Sequence, residues 1–127
     1  MTRIRRKGPD QGGKWIRPDK RLAIYLRDGM CCAYCNASHD ADGAALTLDH
    51  LVPCEAGGTN KAHNLVTACR SCNSSKSARS VRAFYVVLRD RGINTDRVGP
   101  RVRRLVRKPL KKFRLQAKAI IAERDAR

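Results

Sequence analysis

The chain has 127 residues, with 28 Lys and Arg against 11 Asp and Glu, a net charge of +17 and six cysteines. That length allows one small domain with extensions, and no apolar run approaches the ~18 residues needed to span a membrane. Residues 1–29 carry nine basic and three acidic side chains (+6), residues 30–76 three and four (−1), and residues 77–127 sixteen and four (+12). A near-neutral centre between strongly basic flanks points to flanks that grip a polyanion, with the centre free for chemistry.

Residues 1–17 read as a flexible basic arm, with Arg3, Arg5, Arg6, Lys7, Lys14 and Arg17 among Gly8-Pro9 and Gly12-Gly13. Trp15, the only tryptophan, is expected to pin this arm to the domain. Pro18-Asp19 starts a helix with Asp19 as its cap. Leu22, Tyr25 and Leu26 give it an apolar face, and Gly29 ends it. Cys32-Ala-Tyr-Cys35 follows, then a polar loop over residues 36–45.

Residues 46–48 form a short β-type run that delivers Asp49 and His50. Adjacent strand residues point to opposite sides, so serving one site would require a twist or bulge there. Pro53 stiffens the exit. Gly57-Gly58 lies in the connecting loop, and residues 64–68 return as a second strand. Cys69-Arg-Ser-Cys72 then leads into a helix carrying Asn73 and Lys76. Val81, Phe84, Tyr85 and Leu88 mark a further helix that Gly92 stops. Residues 93–100 read as a linker ending in Gly99-Pro100. A basic run, Pro109 and a last helix over residues 110–124 follow, with Leu110, Phe113, Ala117, Ile120 and Ile121 on one side. The organisation is an arm at 1–17, a domain with flanking helices at 18–92, and a basic extension at 93–127.

Zinc takes four tetrahedral ligands, and a CxxC turn brings two sulfurs to one ion. Cys32, Cys35, Cys69 and Cys72 therefore form a candidate structural zinc site, and the 33 residues between the pairs must themselves be structured. Nothing resembles a signal peptide, which disfavours disulfides, and no βαβ pattern supports redox chemistry. Cys31 and Cys54 are left as small buried or partly exposed thiols, His39 as a polar-loop residue outside the zinc set, and His63 as a surface residue or DNA contact. So small a block needs its ion to fold.

This block, roughly residues 20 to 80, resembles the HNH nucleases, most closely the phage and bacterial branch with four zinc-binding cysteines. The resemblance implies an α+β fold: a small ββα-metal (HNH, His-Me finger) domain flanked by helices and basic tails. It implies that His50 is the general base, that Asn64 braces the loop and helps orient it, and that Asp49 and Asn73 hold a catalytic divalent ion. Asn73 stands where many relatives have His, an H-N-N variant, and Ser77 stands where some place a further metal-binding His. Oxygen donors suit Mg2+ or Mn2+, and imidazole suits proton transfer at neutral pH. Arg70 and Lys76 are candidate phosphate contacts.

The leading expectation is a metal-dependent DNA endonuclease leaving 5'-phosphate and 3'-hydroxyl ends, in the cytoplasm of a bacterium or of a phage's bacterial host, with no membrane partner. The alternative is a non-catalytic zinc-stabilised nucleic-acid-binding module, or an accessory to a phage packaging machine. Oligomeric state and DNA target are not legible in the sequence.

Overall fold

The computed structural model of the chain describes residues 15–127, so most of the expected basic arm lies outside the described residues. Helix α1 (Pro18–Arg27) leads to the first cysteine turn and a single helical turn, α2 (His39–Asp42). Strands β1 (Leu46–His50) and β2 (Leu65–Cys69) pair antiparallel, with two 3-10 turns in the loop between them. Helices α3 (Arg70–Lys76), α4 (Val81–Asp90), α5 (Thr95–Arg107) and α6 (Lys111–Asp125) complete the chain. The result is a small α+β domain around one two-stranded sheet.

The ladder is regular, with Leu46 opposite Cys69, Asp49 opposite Val66 and His50 opposite Leu65. No bulge intervenes, so side chains alternate between the faces. One face turns Val66 and Ala68 toward a core shared with Tyr34, Phe84, Leu88 and the cysteines. The other turns Leu48 and Leu65 toward Ile16 and Ile24 beside α1.

Helix α1 begins one residue earlier than its expected cap. Pro18 takes the first helical position and Arg17 the cap, which suits a residue with fixed φ and no N–H. Asp19 instead sits in the first turn, where Arg114 of α6 reaches it at 3.1 Å. Its buried face is Ala23, Ile24 and Arg27, rather than Leu22, Tyr25 and Leu26, which are half-buried. The shift has a cause: α1 is sandwiched between the sheet and α6, and Leu22 and Tyr25 line a small cavity with Ile121.

The expected linker at 93–100 is mostly helix. Asn94 caps α5 by accepting from the Asp96 N–H at 3.1 Å, and Val98, Val102 and Leu105 join the core. Pro100 lies inside this helix. The i, i+4, i+7 stripe of buried side chains outweighs the backbone bond that proline forfeits. In α6, by contrast, only Ala117 is buried, and Leu115 and Ile120 face solvent.

A buried ion pair joins α1 to the hairpin. Arg27 Nε donates to Asp28 at 2.7 Å, and its other nitrogens donate to the carbonyls of Ala62 at 2.9 Å and Leu65 at 2.6 Å. Asp28 in turn accepts from the Thr67 N–H at 2.8 Å. Both side chains are inaccessible to solvent. Removing one member strands the other, at a cost of about 3–5 kcal/mol. Arg27→Met should therefore lower stability by that order in urea denaturation at saturating zinc. A loss below about 1 kcal/mol would show that solvent or another donor reaches Asp28.

Candidate active site and metal centre

The four cysteines expected to bind an ion converge. Their sulfurs all lie within 4.8 Å of one another, and Cys35 and Cys69 are 3.7 Å apart. Two thiolates at ~2.3 Å from a tetrahedral ion stand roughly 3.8 Å apart, whereas a disulfide brings sulfurs to ~2.05 Å. The spacing is that of a shared ion. Each turn also carries a backbone donor: Cys35 N–H points to Cys32 Sγ at 3.5 Å and Cys72 N–H to Cys69 Sγ at 3.4 Å. The second turn doubles as the N-terminal cap of α3, where the helix dipole favours a thiolate.

Crowding shows in the acidities. A hydrogen bond from Cys72 draws the Cys32 thiol down to about 5. Giving that proton, together with burial, pushes Cys72 upward, and burial pushes Cys35 up to about 11. Ionising Cys35 and Cys72 beside Cys32 is disfavoured by burial and by their mutual proximity, and a bound dication would offset that cost. Cys31 and Cys54 stand outside the cluster.

Tyr34 lies between the first two ligands and is fully buried. Its ring meets Phe84 edge-on, with centroids 5.0 Å apart. Its hydroxyl donates to Asp49 Oδ2. Burial and the Asp49 charge both drive the phenol's acidity far upward, so Tyr34 remains a donor. The cysteine turn thus reaches directly to the carboxylate at the end of β1.

Asp49 and His50 diverge, as a regular strand requires. Asp49 points into the core and is 4 % exposed. Lys76 lies 3.3 Å from its carboxylate and also donates to the His50 carbonyl at 2.8 Å. Burial raises the Asp49 pKa, and Tyr34 and Lys76 oppose that rise. The expectation that Lys76 meets phosphate is corrected here: it is 0 % exposed and serves as the counterion of Asp49. An unpaired carboxylate at this depth would be costly, and the helix following β2 supplies the nearest cation.

His50 turns the other way, half-exposed, and its Nε2 lies 2.7 Å from Asn60 Oδ1. Asn60, which the sequence did not single out, is therefore the direct partner of the imidazole. Asn64 is hydrogen-bonded to the backbone at both ends of the loop. Its amide accepts from Val52 N–H at 2.9 Å and donates to the carbonyls of Val52 at 3.2 Å and Thr59 at 2.8 Å. Those bonds close the loop that presents Asn60. Gly58 makes the closure possible, because a Cβ there would fall 1.7 Å from the Val52 oxygen.

On α3, Asn73 is half-buried and Arg70 exposed. Asp49 and Asn73 offer a carboxylate and an amide oxygen, donors of the kind a hard divalent ion takes. The donor types fit, with one constraint: Lys76 already balances the Asp49 charge, so an ion sharing that carboxylate competes with an ammonium.

Residues 32–86 match the HNH endonuclease family. Among solved structures, the Type II-C Cas9 enzyme from Actinomyces naeslundii is similar at 27% identity and a TM-score of 0.47, over 82% of this chain and 12% of that one. The chain thus spans a small part of that protein's length. No curated protein matches.

Lys76→Met should cost about 3 kcal/mol or more, because Asp49 is left buried without its counterion. If Asp49 can ligate a divalent ion, millimolar Mg2+ should raise the variant's melting temperature more than the wild type's. Identical melts with and without Mg2+ would remove Asp49 from the ligand set.

Proposed function

We propose that residues 32–86, a domain of the HNH endonuclease family, cleave DNA by metal-dependent hydrolysis of a phosphodiester, with His50 as general base. The observation that carries this reading is the hydrogen bond between His50 and Asn60. With the Asn60 amide oxygen turned to the ring at 2.7 Å, the tautomer that suits the contact carries its proton on Nε2 and donates it. That leaves the Nδ1 lone pair as the atom able to take a proton from an attacking water. Asn64 supports the arrangement by closing the loop that holds Asn60. In this reading it is a positioning residue and touches no reacting atom.

Asp49 and Asn73 are the residues that would hold Mg2+ or Mn2+, which when bound polarises the phosphate and stabilises the leaving 3'-oxygen. Arg70, exposed on α3, is suited to a phosphate contact. The four cysteines hold zinc, the metal that sulfur donors in tetrahedral array suit best. The basic flanks supply affinity for the DNA backbone. Among the described residues no helix is long and apolar enough to cross a membrane.

One observation favours a second reading. The Asp49 carboxylate is neutralised by Lys76, which would suit a zinc-stabilised nucleic-acid-binding module that cuts nothing. Supercoiled plasmid with Mg2+ or Mn2+ separates the two. Wild type should nick or linearise it, His50→Ala should be slower by about 10²–10⁴-fold, and Asn60→Ala should fall between. Equal cleavage by wild type and His50→Ala would refute the assignment of the base.

The zinc assignment is tested separately. Elemental analysis should find one zinc per chain, and a strong chelator should unfold the protein cooperatively, as judged by loss of helical circular dichroism. Retention of the fold after complete zinc removal would make the cluster dispensable.

A further inference from the structure

Trp15 does not pin the chain to the domain; it is 77 % exposed, and its neighbour Ile16, 6 % exposed, is the residue packed against Ile24 and Leu65. Beside it lies a cleft of about 150 Å³ lined by Trp15, Ile16, Arg17, Lys20, Asn60 and Arg114. Three of the six are cations, contributed by the start of α1 and by α6. The acidic group close by is Asp19, which Arg114 meets at 3.1 Å and Arg17 at 3.8 Å. The lining is therefore net positive, and Arg17 remains largely exposed. The sixth wall is Asn60, whose amide is hydrogen-bonded to His50. So the cleft begins one hydrogen bond from the proposed base.

We infer that this cleft binds a nucleotide in a single-stranded segment of the nucleic-acid substrate, with its base stacked on Trp15 and its backbone phosphate held by Arg17 and Lys20. An exposed indole beside guanidinium and ammonium groups is the combination that binds unpaired nucleotides, because a base offers an aromatic face and its backbone a charge. At about 150 Å³ the cleft is smaller than the ~300–1,000 Å³ of a pocket for a drug-sized ligand, a scale that suits one flat ring. Its adjacency to Asn60 places the bound nucleotide in the strand that reaches His50. The inference rests on the nucleic-acid reading above and does not require that the chain cleave.

Trp15 is the only tryptophan, so its emission reports the cleft alone. The full-length, zinc-loaded His50→Ala protein would be titrated with a fluorescein-free single-stranded oligonucleotide while emission is recorded. Binding would be followed in parallel by the anisotropy of a labelled copy. Emission should be quenched with the same midpoint as the anisotropy change. Trp15→Ala should weaken binding about five-fold or more, and Arg17→Ala should lower the salt slope by roughly 0.7. Saturable binding with unchanged emission would overturn the inference. So would quenching by a blunt duplex alone, or no binding at all. Quenching with these mutational effects, in a chain whose wild type cuts nothing, would uphold the cleft and reject the nuclease reading.

Discussion

Four sulfur atoms within 4.8 Å of one another are the constraint on which the rest of the domain depends. Crowded thiolates repel one another, and the opposed acidities of Cys32 against Cys35 and Cys72 show a pocket that a cation would ease. With one, two distant turns of chain are clamped together. Everything between the clamps is then held at its base, including the hairpin and the loop that carries Asn60. The cluster also sits in the largest apolar core, so the packing of Tyr34, Phe84 and Leu88 is built around the same point.

Two buried ion pairs then fix the faces of the hairpin. Arg27 and Asp28 serve the α1 side and reach the carbonyls and N–H groups of β2 and its approach. Asp49 and Lys76 serve the opposite side and reach the backbone of His50. Neither pair need add much net stability over apolar substitutes of the same shape. What they contribute is geometry. A hairpin with a charge anchored on each face cannot slip by one residue without exposing both pairs, and such a slip would invert Asp49 and His50.

Much of this was legible in the residues. The CxxC spacings pointed to the cluster, the apolar runs at 46–48 and 64–68 to the two strands, and the order of Asp49, His50, Asn64 and Asn73 to the resemblance that the match over residues 32–86 supports. What stayed hidden was the set of contacts made by residues with no spacing of their own. Asn60 is one polar residue in a polar loop, and only the closure by Asn64 and the close approach at Gly58 set it against His50. Lys76 reads from the sequence as a candidate phosphate contact, one helical turn beyond Asn73. The missing consideration was that β1 turns Asp49 inward, and an inward carboxylate calls for a cation. The helix through Gly99-Pro100 was missed because local propensity argues against it and tertiary burial of Val98, Val102 and Leu105 overrides it.

The contribution of α5 bears on what counts as the unit of inheritance here. The family match ends at residue 86, yet the apolar centre continues to Leu105, and Arg101 of α5 donates to the Ala33 carbonyl inside the first cysteine turn at 3.1 Å. The family match and the apolar core therefore have different boundaries in this chain. A gene fragment trimmed to the matched residues would encode the hairpin without the helix that covers its first cysteine turn. The portable module therefore runs at least from the start of α1 to the end of α5, and α6 belongs with it, because it covers the outer side of α1 through the buried Ala117 and the Arg114–Asp19 pair.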